Sequence, residues 1–404
     1  MVKVEYSFPE GSFQYGKLGQ DGIELVQYQG LAGHVEIPEV LPWKELVKGT
    51  EPEHAGEEMG DATDSFHDSF HDSLHDSFRD CLPVRALAKK MFLSKKYLRS
   101  VVVPASVESV GDWAFAYCDS LREVTFLGRE VMFGKDVFKE CPNLRCVRFL
   151  NAAEEAGYRG SNGTGNSGTG SSGTNSGGTG SGGTGSHGAG GHGTGSNGTN
   201  CGGTGSGGTG SVGVESGRCD QTRDGVGALL AAAVTQMDAS YLLDAREAGS
   251  PEWLGKWDAR MLAILRAADD EGYAKQILCG EEDYESADYE TFLRNSRKRK
   301  VRLLLLRLLW PMGLAPAAEE ECKAYLLSHT LGCATEETWA VIRDEYGNRR
   351  EFYELFATLG CLTRENAPDV IAETRQDCPE MKAYFLRYQA EYFGTTGFFD
   401  DMEL

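Results

Sequence analysis

The chain has 404 residues with 40 Lys and Arg against 61 Asp and Glu, which gives a formal net charge of −21. Such an acidic chain is poorly suited to wrap nucleic acid or to bind anionic membranes. It starts without an apolar run after a basic segment, and two arginines interrupt its longest apolar run, residues 301–310. We therefore expect a cytoplasmic protein without a secretory signal or a membrane span. Its 11 Cys include no Cys-x-x-Cys pair, which predicts reduced, buried thiols and no zinc site.

The front of the chain contains a repeat with a spacing of 23 residues. Three segments read Leu-x-x-Val-x-Val/Phe, and the first two continue into a Phe-x-x-Cys pair. The alternation predicts strands with one buried face, and the Phe-x-x-Cys spacing predicts a short helix whose Phe and Cys point inward. A regular repeat brings equivalent residues side by side, so we expect parallel strands in register over residues 98–149. The side chains expected to point inward are Leu98, Val101, Val103, Leu121, Val124, Phe126, Leu144, Val147 and Phe149.

The first full unit, Leu98-x-x-Val-x-Val-Pro followed by Ala-Phe-x-x-Cys118, resembles the BspA-like class of bacterial leucine-rich repeats. The resemblance covers roughly residues 82–150, and residues 22–38 resemble the first hairpin and the first strand of that family. In that alignment Val35 takes the place of Val101. The resemblance implies a solenoid with a parallel sheet on one side, which binds proteins or other macromolecules.

Residues 42–81 interrupt this repeat array and contain a tandem tetrapeptide of Ser, Phe, His and Asp. On a helix, His67, His71 and His75 fall on one face, a spacing that can hold a divalent metal. The alternative is a tandem expansion that forms a solvated, partly helical loop. We favour the loop, because nothing in the sequence supplies a second shell for a metal, and we predict neither a metal nor another cofactor.

The chain divides into three parts by composition. Gly, Ser, Thr and Asn dominate residues 157–217, which bury too little apolar surface to offset the entropy cost of ordering them. We therefore predict a leucine-rich-repeat domain at 1–156, a flexible linker at 157–218 and a helical repeat domain at 219–404. A tether of this kind predicts two bodies without a fixed relative orientation.

A second repeat, with a spacing of 28 residues, lies in the last part of the chain and contains Leu-Gly-Cys-x-Thr twice. Gly332 and Gly360 predict helix ends, and Thr335 and Thr363 predict N-caps of the helices that follow. These helical pairs resemble ankyrin-like hairpin stacks, although the ankyrin Thr-Pro-Leu-His motif is absent. The predicted fold class is therefore α+β multidomain, with a short leucine-rich-repeat solenoid followed by an all-α domain that is ankyrin-like or irregular.

The basic run at residues 294–302 has two interpretations. It could form a nucleic-acid or anionic-lipid patch. Acidic residues at 281–285 precede it, and no aromatic side chains alternate with the basic ones, so a solvated helix face is the better interpretation. We expect no nucleic-acid partner.

A candidate binding surface follows from the first variable position of the repeat, which is Arg in three successive units. Parallel strands lie about 4.8 Å apart, so these arginines should form a ladder. Glu123 and solvent could relieve their repulsion, or the arginines could receive an acidic segment of a partner, or residues 400–404 of the same chain, through bidentate contacts. The predicted surface comprises Arg99, Val102, Arg122, Glu123, Thr125, Arg145 and Arg148.

The sequence contains no recognisable combination of nucleophile, base and orienting group. We therefore expect a non-enzymatic interaction or scaffold protein that binds a protein partner through its repeat sheet and its helical domain. Two alternatives are a surface-displayed or exported adhesin and an enzyme with an unrecognised site.

Overall fold

The structure is a computed structural model that describes residues 4–43, 81–151, 213–274, 289–347 and 349–394. The tetrapeptide repeat with His67, His71 and His75 lies outside the described residues, as do residues 152–212 of the glycine-rich part. The acidic segments 281–285 and 400–404 also lie outside them.

An antiparallel meander opens the fold. Strand β1 (Val4–Phe8) pairs with β2 (Gly11–Leu18), and β2 pairs with β3 (Gly22–Gly30). Buried Tyr28 of β3 packs its ring 5.3 Å from that of Phe92, in the first coil of the repeat. The meander therefore covers the apolar interior of the solenoid at its first coil, as a terminal cap must.

Two sheets run along the solenoid. On one side β3 continues in parallel into β6 (Cys81–Leu87), β8 (Ser109–Val110) and β10 (Met132–Phe133). The other side is a parallel sheet of β4 (His34–Glu36), β7 (Ser100–Val103), β9 (Glu123–Phe126) and β11 (Cys146–Phe149). We call this second sheet the repeat sheet.

The register of the repeat sheet follows the 23-residue spacing. Val101 lies beside Val124, which lies beside Val147, and Val35 takes the equivalent place in β4. All nine side chains expected to point inward are buried, with at most 8% of their surface exposed. The predicted parallel, in-register strands and their buried face are confirmed, and so is the match between Val35 and Val101.

The insertion leaves and re-enters the solenoid at one point. Strand β5 (Val40–Pro42) pairs antiparallel with the start of β6, and Pro42 lies opposite Cys81. The two ends of the insertion are therefore neighbours in a ladder of backbone hydrogen bonds. Because those ends lie together, the solenoid continues across the insertion without a break.

The segments around the Phe-x-x-Cys pairs are turns, so the short helix predicted there is wrong. Trp113 and Tyr117 have positive φ values of 60° and 59°, which a helix does not permit. The amide of Phe115 donates to the carbonyl of Val137 in the next coil at 3.0 Å, and the Tyr117 amide donates in the same way to Lys139. Backbone donors are thus satisfied between coils rather than along one turn of helix.

The buried Phe and Cys nonetheless point inward as expected. The rings of Phe92, Phe115 and Phe138 stack with centroids 5.0 and 5.4 Å apart. The thiols of Cys118 and Cys141 each donate to a carbonyl of the preceding coil at 3.0 Å. Each coil therefore adds one ring to a continuous column, and the coils of Phe115 and Phe138 also add a thiol, whereas Lys95 takes that place in the first coil.

Eight α-helices follow in the described part of the chain. A 3₁₀ turn, Ser240–Leu242, separates the first two helices, and a π-helical turn, Gln389–Phe393, follows the last. The helices are α1 (Gly213–Thr235), α2 (Pro251–Arg266), α3 (Tyr289–Leu309), α4 (Pro316–Ser328), α5 (Glu337–Glu345), α6 (Arg350–Thr358), α7 (Ala367–Glu373) and α8 (Pro379–Tyr388).

The repeated Leu-Gly-Cys segments follow the ends of α4 and α6. Gly332 and Gly360 have φ values of +92° and +81°, the left-handed conformation that commonly ends a helix. Thr335 is not the N-cap of α5, because Glu336 occupies that position. Thr363 exchanges hydrogen bonds with Asn366, which itself precedes α7. Gly360 directly follows Leu359, the C-cap of α6, so the helix end predicted there is confirmed. Gly332 lies three residues beyond His329, the C-cap of α4, and the predicted N-caps lie too early in the chain.

Helix α1 packs on the last strand of the repeat sheet. A Cβ atom at Gly227 would lie 2.6 Å from Cys146 Sγ and 3.1 Å from the carbonyl oxygen of Val147, so only glycine permits this approach. Leu229 and Leu230 of the same helix are buried, and the Leu229 carbonyl accepts a hydrogen bond from the indole of Trp257. One continuous apolar core therefore runs from the repeat into the helices.

This packing corrects the expectation of two bodies without a fixed relative orientation. The composition of residues 157–217 predicts nothing about the last coil of the solenoid, whose apolar edge needs a cover. Helix α1 covers that edge, and its first residues belong to the part of the chain that we assigned to the linker. The helical region is therefore also the C-terminal cap of the solenoid.

Candidate protein-binding surface

The first variable position of the repeat places three arginines beside one another, and we call Arg99, Arg122 and Arg145 the arginine row. The amide of Arg122 donates to the carbonyl of Arg99 at 2.7 Å, and the Arg145 amide donates to Arg122 at 2.8 Å. All three residues are exposed. The backbone ladder therefore holds three guanidinium side chains in register on successive strands.

The arginine row has unsatisfied charge. Within the described residues, none of its guanidinium groups forms an ion pair with a carboxylate, whereas Arg148 forms two. Burial lowers the pKa of Arg145, and the positive charges of Arg349 and Arg122 lower it further. A carboxylate placed on the row would relieve this repulsion and form charge-assisted hydrogen bonds.

Two residues of the predicted surface are not accessible. Val102 is 4% exposed and packs with Leu127 and Leu150, which follow the neighbouring strands. Thr125 is 1% exposed, and its hydroxyl donates to Glu123. The alternation within a strand correctly puts both residues on the face opposite the core, but it carries no information about the side chains that cover them.

Glu123 and Arg148 form a bridge to the helical region. Arg148 donates to Glu123 and also pairs with Asp224 of α1, with its Nη2 atom 2.9 Å from the Asp224 carboxylate. Glu123 thus accepts hydrogen bonds from Arg148 and Thr125 and does not neutralise Arg122. The first interpretation of the row, in which Glu123 relieves the repulsion between the arginines, required it to do so. These two charged residues attach α1 to the sheet.

The repeat sheet also brings together residues that the sequence did not single out. Nδ1 of His34 lies 2.8 Å from the hydroxyl of Ser100, its neighbour in β7. In the part of the chain that the structure describes, no carboxylate holds His34 in place, so the pair lacks the orienting group of a nucleophilic triad. Leu31 and Tyr97, two residues before Gly33 and Arg99, are 76% and 66% exposed. They add an apolar end to the arginine row.

The basic run at the start of α3 is largely paired inside the helical region. Arg297 and Lys300 both contact Asp269 at 2.8 Å, and Arg302 holds Glu345 through two hydrogen bonds. Although burial acts to raise the pKa of Asp269, hydrogen bonds from Lys300 and Arg297 bring it below its usual value. These basic residues therefore fix the packing of α3 and are not an open basic patch.

The acceptors of the basic run differ from those expected from the sequence. Asp269 follows α2, and Glu345 ends α5, so both are distant in the chain from the acidic residues 281–285. Five residues beyond Arg302 in α3, fully buried Arg307 pairs with Asp258 at 2.6 Å. Charged pairs therefore connect α3 to the helices on both sides.

The described residues contain neither a membrane-spanning helix nor a metal centre. No helix among them combines the length and the apolar character needed to cross a bilayer. The same described ranges hold no group of three or more His, Cys, Asp or Glu side chains arranged to bind a metal ion.

Comparison with known proteins identifies the repeat. Residues 84–159 match a family model that is described as the BspA type leucine rich repeat region (6 copies). This part of the chain is therefore a BspA-type leucine-rich repeat. No curated protein matches the chain.

Part of the chain is similar to three solved structures. They are a leucine rich cell surface protein from Faecalibacterium prausnitzii (19% identity, TM-score 0.23), a leucine-rich repeat protein from Bacteroides ovatus (15%, 0.24) and a leucine rich repeat protein from T. pallidum (22%, 0.19). The matches cover 36%, 36% and 35% of this chain and 32%, 29% and 63% of those chains. The chain thus spans about a third of the length of the first two proteins.

Proposed function

We propose, on the premise that residues 84–159 are a BspA-type leucine-rich repeat, that this protein is a non-enzymatic interaction protein whose arginine row binds an acidic segment of a protein partner. The observation that carries the proposal is the row itself. Three exposed guanidinium groups stand in register without a carboxylate partner in the described parts of the chain. Such an arrangement suits bidentate recognition of carboxylates.

The binding surface is smaller than the sequence predicted. Val102 and Thr125 are buried, and Arg148 and Glu123 attach α1 to the sheet. The proposed contact therefore uses the arginine row, with Leu31 and Tyr97 at one end. The proposed partner is defined only by its chemistry: it is an extended segment that carries several carboxylates.

The test is the binding of a fluorescent peptide of alternating Asp and Gly to the full chain, measured by anisotropy at several salt concentrations. Arg99, Arg122 and Arg145 are changed together to Ser. We expect the affinity to fall at least about tenfold, or about 1.4 kcal/mol, and the dependence on salt to weaken.

A matched control separates the row from net charge. Lys89, Lys135 and Lys139 are exposed and lie off the repeat sheet. Changing these three to Ser removes the same amount of charge, and we expect it to leave the affinity within about twofold. Equal losses in both triple variants would show a general charge effect and would reject the row as the site.

A further inference from the structure

A cavity of about 550 Å³ lies where the last coil of the repeat meets the helical region. Leu144 and Arg145 line it from the repeat, Ala232 lines it from α1, and Leu306 lines it from α3. Cavities that bind ligands commonly have volumes of about 300–1000 Å³. The cavity is therefore large enough for a ligand, and it forms only where α1 and α3 meet the repeat.

The cavity has an apolar floor and a polar entrance. Leu144, Ala232 and Leu306 form the floor, and each has at most 8% of its surface exposed. Asn143 and Arg145 are exposed, so the cavity opens to solvent on the side of the repeat. A ligand can therefore bury an apolar group on the floor while its polar groups stay at the entrance.

The charged residues around the cavity leave one cation without a partner. Glu345 in the wall is held by Arg302 through two hydrogen bonds. Asp344, also in the wall, pairs with Arg343 at 2.8 Å. Arg145 forms no ion pair with a carboxylate in the ranges that the structure describes. A ligand that carries one carboxylate supplies the partner that Arg145 lacks.

Two uncharged side chains of the lining offer oxygen acceptors. The amide nitrogen of Asn143 donates to the carbonyl of Asp119 at 2.7 Å, which fixes the orientation of the amide and leaves its oxygen as an acceptor. The hydroxyl of Thr235 donates to the carbonyl of Ala231 at 2.7 Å, so its oxygen can accept a hydrogen bond but its proton is already used. These groups suit a ligand with N–H donors beside its carboxylate.

We propose that this cavity binds the free C-terminal end of a peptide whose last residue is apolar. The terminal carboxylate pairs with Arg145, the last side chain lies on the apolar floor, and the backbone amides donate to Asn143 or Thr235. This inference goes beyond the proposed function, because it uses one arginine of the row and a carboxylate of the main chain. Either proposal can therefore hold without the other.

The first experiment compares two fluorescent peptides on the full chain by anisotropy. One is Gly-Ser-Gly-Ser-Leu with a free terminal carboxyl group, and the other is the same peptide with a terminal amide. Neither carries an acidic side chain, so the comparison measures recognition of the terminal carboxylate. We expect the acid to bind at least about tenfold more tightly than the amide. Equal affinities, or no binding of the acid, would overturn the inference.

Removal of the cation has a matched control. Arg145→Ser should weaken binding of the acid peptide at least about tenfold, because the terminal carboxylate loses its partner. Arg129 is likewise exposed and forms no ion pair within the described residues, but it does not line the cavity. Arg129→Ser should leave the affinity within about twofold. Equal losses would show a general charge effect and would reject Arg145 as the contact.

Filling the cavity tests the site through its walls. Ala228 in α1 is half-buried and lines the cavity, so the ring of Ala228→Phe should occupy the space of the last side chain and weaken binding at least about tenfold. Ala263→Phe, at an exposed position of α2, makes the same change away from the cavity and should have no effect on binding. Full binding by a folded Ala228→Phe variant would overturn the inference.

The third experiment uses the unchanged chain and locates the peptide directly. The last residue of the acid peptide is replaced by the photo-crosslinking residue p-benzoylphenylalanine, and the crosslinked segments are identified by mass spectrometry. We expect crosslinks to residues 142–145, 228–236 or 302–306. Crosslinks confined to other segments would overturn the inference.

The two proposals fail in different ways. If the alternating Asp-Gly peptide binds through the row but the acid peptide does not bind, the proposed function stands and the cavity is rejected as a site for a terminal carboxylate. If the acid peptide binds and crosslinks in the cavity but the Asp-Gly peptide does not bind, the inference stands and the proposed function is rejected.

Discussion

At the scale of single residues, the solenoid is held together by side chains that recur in every coil. Phe115 lies between Phe92 and Phe138 with ring centroids 5.0 and 5.4 Å away, and it has no exposed surface. Phe115→Ala should therefore lower the free energy of unfolding by about 3–5 kcal/mol, measured by urea denaturation of the full chain. Met132→Ala, at a side chain that is 70% exposed, is the control and should cost less than about 1 kcal/mol. Similar losses for both changes would contradict the burial of the Phe column.

The cysteine column predicts both reactivity and pH dependence. Burial raises the pKa of Cys118 to about 11 and that of Cys141 to about 12, whereas Cys333 is exposed. At pH 8, a maleimide should modify Cys333 quickly and leave the two column thiols intact until the chain unfolds. Because folding favours the protonated thiols, their contribution to stability is complete below about pH 9 and is lost as the pH rises towards 11–12. Rapid labelling of Cys118 in the folded chain would contradict this.

The sequence predicted the position and burial of some residues correctly and those of others wrongly. The 23-residue spacing was enough to place Arg99, Arg122 and Arg145 side by side, because register depends on spacing alone. Burial of Val102 depends on Leu127 and Leu150, which belong to other coils and fall outside the Leu-x-x-Val-x-Val pattern. The pairing of His34 with Ser100, 66 positions apart, follows from the same register that places Val35 beside Val101.

At the scale of elements, the contact between α1 and β11 depends on a glycine that is unfavourable to an isolated helix. Gly227→Ala should improve helix propensity but place its Cβ 2.6 Å from Cys146 Sγ, so we expect a net loss of about 1–3 kcal/mol. Gly255→Ala, in α2, meets no atom within 4 Å and should stabilise the chain by up to about 1 kcal/mol. Thermal unfolding of the two variants tests the contact. A gain in stability from both changes would contradict the close approach of α1 to β11.

Some strands and helices were predicted correctly from the sequence, and others were not. Strands with alternating buried residues and the helix end at Gly360 were predicted correctly, because both signals are local. The turns at Trp113 and Tyr117 were mistaken for helix, because their backbone hydrogen bonds go to the next coil and no local pattern records that. The position of α1 was also missed, since its buried face is determined by the open edge of β11.

At the scale of the whole molecule, the helical region and the repeat share one core, so the covalent tether is not needed to hold them together. A protease site introduced within residues 157–212 should be cut without separating the two fragments, which we expect to elute together in size-exclusion chromatography. Weakening the contact at Gly227 by Gly227→Leu should release them. Separate elution of the fragments of the otherwise unchanged chain would show that α1 does not dock on β11.

The net negative charge of the chain affects what the arginine row can bind. Acidic residues outnumber basic ones by 61 to 40, and much of the basic run in α3 pairs inside the helical region. A chain of this charge repels acidic ligands in general. We therefore expect an acidic segment to bind only where several cations are held together, as the proposal requires of the arginine row.

Inversion of the row tests the proposed function most directly. Arg99, Arg122 and Arg145 are changed together to Glu, and the affinities of two peptides, alternating Asp-Gly and alternating Lys-Gly, are measured by fluorescence anisotropy on the folded full chain. We predict that the unchanged chain prefers the Asp peptide and that the variant prefers the Lys peptide, with the ratio of affinities inverted by at least about a hundredfold. An unchanged preference for the Asp peptide in the variant would contradict the assignment of the row as the binding site.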